Sequence, residues 1–218
     1  MPRVSSQYEL TQKKRIIAGA TQVFADHGYR LTTMDQICQA LQLSKGAIYI
    51  YFKSKEELFI AVLQAIYQLR FEILSTAYQA NDPAAIKFEK ILDRLGSLMS
   101  HDDDVFIRLS LEGFLESAHI PGLQAIKADS YQRFYELLYG LLQEGQLAGE
   151  INPELNLSST TVVLMAVSDG LMMHSLVPER GIDPDRVRQI VHETFSQILG
   201  YRPRTPPAIK GQGEEYKI

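Results

Sequence analysis

Apolar residues along this chain recur three and four positions apart, the spacing of one face of an α-helix, and no pair of convincing alternating runs suggests strands. Ile16, Ile17, Ala20, Val23 and Phe24 form the first such stripe, with Thr11 placed to cap its start and Gly28 where a left-handed C-cap is wanted. A shorter helix is expected from Thr33, because Met34, Ile37, Cys38 and Leu41 fall at i, i+3, i+4 and i+7. From Ser54 the positions Leu58, Val62, Ala65, Ile66, Leu69 and Ile73 predict a helix to about Ala80, roughly 40 Å long. Asn81-Asp82-Pro83 ends it, with Asp82 capping and Pro83 opening the next. Further helices are expected at about 83–100, 103–118, 122–145, 155–176 and 184–199, which makes an all-α fold of about nine helices.

One stretch resists this reading. In LSKGAIYIYFKSK, residues 43–55, Ile48-Tyr49-Ile50-Tyr51-Phe52 alternates like a half-buried strand, yet Ser44 stands where a helix N-cap would. Helix is the better reading. Ile48 and Phe52 are four apart and share an inward face, and a strand would lack a partner. The capping box Ser54-Lys55-Glu56-Glu57 starts a new helix at once, leaving room for only two turns.

Composition narrows the class. The chain has 218 residues, 45% hydrophobic and 22% charged, as a globular protein has. A single cysteine excludes an internal disulfide framework. The start MPRVSSQYEL lacks the apolar core of a secretory signal, and no run of about 18 uncharged apolar residues is present, so a cytoplasmic location without a membrane is expected. The net charge of −4 hides an asymmetry. Residues 1–55 carry eight Lys/Arg against three Asp/Glu, net +5, while the remainder carries 14 against 23, net −9. A basic quarter on an acidic body suits a protein that presents only its front to a polyanion.

Two short helices joined by a three- to four-residue turn make a helix-turn-helix, whose second member can enter the DNA major groove. With Ile48 and Phe52 inward, Lys45, Ala47, Tyr49 and Tyr51 lie on or near the open side, where ammonium and phenol groups can bond phosphate. Gly46 lets backbone come close, and Thr33 and Lys55 sit at helix starts whose amides attract phosphate. VFADHGYRLTTMDQICQALQLSKGAIYIYFKSKEEL resembles the N-terminal signature of the tetracycline-repressor (TetR) family of bacterial regulators: Gly28, Thr32-Thr33, Ile37, Ser44-x-Gly46, Tyr49-x-Tyr51-Phe52 and Lys55 stand in register. The later LLQEGQLAGEINPEL and SDGLMMHSLV resemble its helical C-terminal domains more loosely. The resemblance implies DNA contacts by Thr33, Ser44, Lys45, Gly46, Ala47, Tyr49, Tyr51 and Lys55. It also implies a homodimer joined through helices at about 155–176 and 184–199. A palindromic operator follows, with half-sites about 34–36 Å or more apart. One departure stands out. Where the family usually has Ala-Gly in the turn, this chain has Leu41-Gln42, so Gln42 is expected to take a positive φ at a cost of about 1 kcal/mol.

Other candidates have simpler readings beside them. Cys38 is a possible redox sensor or, on its buried stripe, an inert core thiol. His101-Asp102-Asp103-Asp104 has the density of a metal site, but acids in a first helical turn are ordinary dipole partners. Glu112, Glu116 and His119 share a face that suits a cationic effector or a metal, and an exposed face with an Arg108–Glu112 pair accounts for them as well. No catalytic motif, metal site or cofactor loop is found, so no enzyme is expected.

The resulting organisation is an arm at 1–10, a helix-turn-helix domain at 11–53, an effector-binding and dimerisation domain at 54–200 and a polar tail at 201–218. The expected function is a dimeric repressor released from DNA by an unknown small-molecule effector. Phe88, Phe106, Phe114, Tyr131, Phe134, Tyr135 and Tyr139 are candidates for lining its cavity, or for ordinary core. The alternative is the same DNA-binding dimer regulated by a protein partner, with a closed, well-packed middle domain; an enclosed volume of several hundred Å³ there would favour the small molecule.

Overall fold

The computed structural model describes residues 6–99, 105–174 and 184–200. Within them the chain forms nine helices: α1 (Ser6–His27), α2 (Met34–Leu41), α3 (Lys45–Tyr49), α4 (Lys55–Ser75), α5 (Ala84–Met99), α6 (Val105–Glu116), α7 (Pro121–Leu147), α8 (Leu157–His174) and α9 (Pro184–Leu199). The acidic run at 101–104 and the tail from 201 lie outside the described residues, so the structure does not bear on either.

Three boundaries differ from expectation, each for a local reason. Helix α1 starts at Ser6, because the Thr11 hydroxyl donates to the Gln7 carbonyl 2.8 Å away and so rides inside the helix without capping it. Helix α4 stops at Ser75, where the Thr76 hydroxyl takes the Glu72 carbonyl at 2.6 Å. Asp82 does not cap α5. Its carboxylate turns back to the Gln79 N–H (2.8 Å) and the Lys90 ammonium (2.6 Å), while Glu150 from the turn after α7 accepts the Ala85 N–H at 2.9 Å.

Two apolar cores organise the helices. The first gathers Ile16, Phe24, Ile37, Ile48, Phe52 and Phe59 around α1–α4, and it continues into Leu109 of α6 and Leu123 of α7. Phe59 stacks on Tyr29 with ring centroids 4.4 Å apart and meets Phe24 edge-on at 5.1 Å. Each of these rings stabilises the fold by about 1.5–3 kcal/mol through burial. The second core joins Phe88, Leu92, Leu142, Leu164, Phe195 and Leu199 of α5, α7, α8 and α9. Helix α4 belongs to both, giving Leu58, Phe59, Val62 and Leu63 to the first and Leu74 to the second. That sharing accounts for its apolarity. One 18-residue window reaches a mean hydropathy of 1.4, enough by length and composition for a membrane span, although Arg70 and Glu72 interrupt it.

Candidate DNA-recognition face and its link to an inner cavity

The turn between α2 and α3 is built as the sequence suggests. Gln42 adopts φ +53° and ψ 40°, the sole positive φ among the described non-glycine residues. Its N–H still reaches the Gln39 carbonyl at 3.2 Å, and the following Leu43 N–H takes the Cys38 carbonyl at 3.0 Å. Half-buried Leu41 and Leu43 flank it on the core, and their packing holds the strained residue in place.

Ser44 then caps α3, accepting the Ala47 N–H at 3.2 Å. Helix α3 is only five residues long, and Tyr51 and Phe52 close it by donating their N–H groups to the Ile48 carbonyl. Ile48 and Phe52 are buried, Ile50 is 69% exposed, and Tyr49 is 39% exposed. A strand would have put Ile48 and Ile50 on the same side. Tyr51 is half-buried, its ring leaning on the first core. Ser44, Lys45 and Gly46 are exposed and Ala47 is half-buried, while a Cβ added to Gly46 would meet nothing within 4 Å. This face is open enough for another backbone to approach.

The cations are more committed than their exposure suggests. Lys45 pairs with Asp35 at 2.6 Å, but both side chains are over 60% exposed, so the pair exchanges readily. Lys53 donates to the Tyr49 carbonyl at 2.8 Å and closes the end of α3. Lys55 departs furthest from expectation. Its ammonium reaches inward to the carbonyls of Tyr29 (2.8 Å) and Thr32 (2.9 Å), over the Tyr29 ring at 4.3 Å, and so ties α4 to the α1–α2 turn. Thr33 is exposed and caps α2 in a reciprocal box with Gln36, whose amide oxygen takes the Thr33 N–H at 2.7 Å. That box is legible as Thr-x-x-Gln. The one expected at Ser54 forms only on one side, since Glu57 accepts the Lys53 N–H instead.

Glu112 and Glu116 do not decorate an outer face of α6. Glu112 accepts the Tyr29 N–H at 2.8 Å, and Glu116, only 8% exposed, pairs with Arg30 at 2.6 Å. Together they fasten α6 to the same α1–α2 turn that Lys55 holds. His119 is exposed, and among the described residues no three His, Cys, Asp or Glu side chains converge as a metal site. Cys38 is buried, and desolvation pushes its thiol pKa up, away from the reactive thiolate.

Behind the second half of α4 lies a half-open cavity of about 410 Å³, walled by apolar side chains of α4, α5, α6, α7, α8 and α9. Phe88, Phe114, Tyr131 and Phe134 border it. Phe106 instead covers Arg70 at 4.8 Å, and Tyr135 stacks on Tyr139 with centroids 5.8 Å apart. A second hollow of about 420 Å³ between α4 and α7 shares Tyr67, Ser130 and Phe134 with the first. Residues of α4 thus touch the head's core at one end and the cavity at the other.

A short, capped and exposed helix that follows a tight turn on a basic head is the arrangement of a helix-turn-helix protein. Residues 16–62 match the family described as bacterial regulatory proteins, tetR family, and residues 89–200 match the C-terminal domain of BetI-type transcriptional repressors. The chain belongs to the TetR family of bacterial transcriptional regulators. The uncharacterised HTH-type transcriptional regulator YfiR of Bacillus subtilis is 23% identical over 80% of this chain and 85% of its own. Two solved structures share the fold. A putative transcriptional regulator from Saccharomonospora viridis in complex with choline is 23% identical with a TM-score of 0.75, covering 86% of this chain and 96% of its own. FadR from Bacillus subtilis in complex with stearoyl-CoA is 20% identical with a TM-score of 0.72, covering 85% and 97%.

Proposed function

We propose that this regulator is a cytoplasmic homodimeric repressor that binds a palindromic operator through α3 and leaves it when a small molecule fills the cavity behind α4. The observation that carries this is the path of α4, one helix whose first turns enter the same apolar core as Ile48 of α3 and whose later turns wall the cavity. Thr33, Ser44, Lys45, Gly46, Ala47, Tyr49 and Tyr51 face or border the groove in this reading. Lys55 contributes through the start of α4, since its ammonium is already engaged by carbonyls. Helix α8 offers the dimer surface, with Val162 and Val163 both over 40% exposed, and α9 lies beside it. The hollow has the several hundred Å³ that a small-molecule effector needs, although it is half open in the single chain, and this size supports such an effector over control by a protein partner.

Ligand need only prefer the form that does not fit DNA. A coupling of about 1–3 kcal/mol changes operator affinity roughly five- to 150-fold. The test is selection of bound duplexes from a random pool, followed by sedimentation of the free protein and of the complex. Inverted half-sites about one or more helical turns apart, with two chains per duplex, are expected. A monomer on a direct, non-palindromic site would refute the dimeric reading.

A further inference from the structure

We propose that the cavity takes an amphipathic anion, with a carboxylate or phosphate head held by Arg70 and Lys127 and an apolar chain along Leu92, Leu95 and Met172. This assignment rests on the ligand-controlled reading above and names the class of ligand.

Arg70 carries it. Its guanidinium borders the cavity from α4, lies 4.8 Å from the Phe106 ring centroid and 5.3 Å from that of Phe134, and its Nη1 has only the Met172 thioether at 4.0 Å. Among the described residues no carboxylate comes within 4.0 Å of it. A planar fork of five donors in an apolar wall with a weak sulfur acceptor is short of partners, and a bidentate oxyanion is the group that matches it. Lys127 of α7 repeats the theme: its Nζ sits 3.4 Å over the Phe114 ring, bordering the same cavity. Ser110 Oγ is buried on the α6 wall of the same cavity, near the Tyr67 hydroxyl.

Among the described residues Asp169 of α8 is the one acid bordering the cavity, on a part of α8 that is exposed in the single chain. It attracts both cations without pairing at 4.0 Å with either, which leaves the three groups at net +1. Desolvation lowers the Arg70 and Lys127 pKa values and raises that of Asp169, while all three residues keep some exposure to solvent in the single chain. A cationic guest would have to displace two resident cations from the aromatic rings it needs. At about 30 Å³ per water-sized group, 410 Å³ has room for roughly a dozen heavy atoms, the size of decanoate.

The full chain is titrated by calorimetry with decanoate, decyl phosphate, decyltrimethylammonium and decanol, each below its micelle concentration. An anion is expected to bind at least about ten-fold more tightly than the cation or the alcohol. The better of the two anions identifies the head group. Arg70→Met is expected to weaken that anion roughly ten- to hundred-fold and to leave decanol unchanged. If Arg70→Met does not fold, Lys127→Met supplies the same comparison with a several-fold loss. Equal or tighter binding of the ammonium compound, no binding of either anion, or folded variants that bind the anion like wild type would overturn the assignment. Operator affinity is read in parallel. An anion that binds through Arg70 yet leaves the operator occupied refutes ligand-controlled release and keeps the assignment, whereas release by the cation alone does the reverse.

Discussion

Glu112 is where the body of the molecule grips the head, and its removal has a calculable effect. Glu112→Ala deletes the acceptor of the Tyr29 N–H, a 2.8 Å bond to a carboxylate, and leaves that N–H without its protein partner. Hydrogen bonds to charged groups contribute about 1.5–3 kcal/mol, and the half-exposed site places this one near 1.5. For a chain of this length each kcal/mol moves the midpoint of thermal unfolding by about 2–4 °C, so the expected drop is about 3–6 °C. Glu112→Gln keeps an oxygen there without the charge and is expected to lose about half as much. Differential scanning fluorimetry measures the drop, and fluorescence anisotropy on a selected operator measures the functional side. If α6 holds the α1–α2 turn in the DNA-binding arrangement, Glu112→Ala also lowers operator affinity. An Ala variant that melts with wild type and binds DNA equally well would show that the grip contributes nothing.

Other substitutions probe other joints. Gln42→Gly removes a left-handed strain of about 1 kcal/mol against a glycine entropy cost of roughly 0.5–1, so urea unfolding should show no loss and up to about 0.5 kcal/mol of gain. A clear loss would mean that the side chain stabilises the turn. Gly113→Ala places a Cβ 2.5 Å from Leu63 Cδ1, in a contact between α6 and α4 where Leu63 is 1% exposed, and should cost about 1–3 kcal/mol in the same assay. The Tyr29 phenol is pushed up to about 12, first by burial and then by Glu56. A phenol raised above its unfolded value contributes stability that is complete below about pH 10 and fades as pH rises toward 12. Tyr29→Phe should flatten that part of the alkaline unfolding curve, and an unchanged slope would refute the assignment.

Local chemistry makes most of the fold readable. The stripe Ile16–Phe24, the short stripe from Met34 and the Ser44 cap depend on residues within a turn or two of one another, so their pattern is written in the sequence. The strain at Gln42 is legible only through the family resemblance, which places a glycine where this chain has Gln42. Long-range partners are not. Lys55 meets carbonyls 23–26 residues away, and Glu112 meets an N–H 83 residues away, distances at which no spacing rule operates. Asp82 shows the same limit at shorter range, since Lys90 and Gln79 draw its carboxylate away from the helix start beside it. Of the aromatic candidates, four border the cavity and Tyr135 does not, its hydroxyl being joined to Ser158 at 3.0 Å. Arg70 has a signal of its own in the sequence: it is the sole arginine of α4, in the later half of a helix whose 18-residue window is apolar enough to span a membrane.

Salt dependence of operator binding tests the recognition face most directly. Log affinity is measured against log salt for wild type, Lys45→Ala and Tyr49→Ala on one selected duplex. Lys45→Ala should weaken binding and flatten the slope by about 0.9 for each phosphate that the lysine neutralises, about 2 for two chains, while Tyr49→Ala weakens binding with a smaller change of slope. Lines that superimpose on wild type for both variants would contradict the placement of DNA against α3.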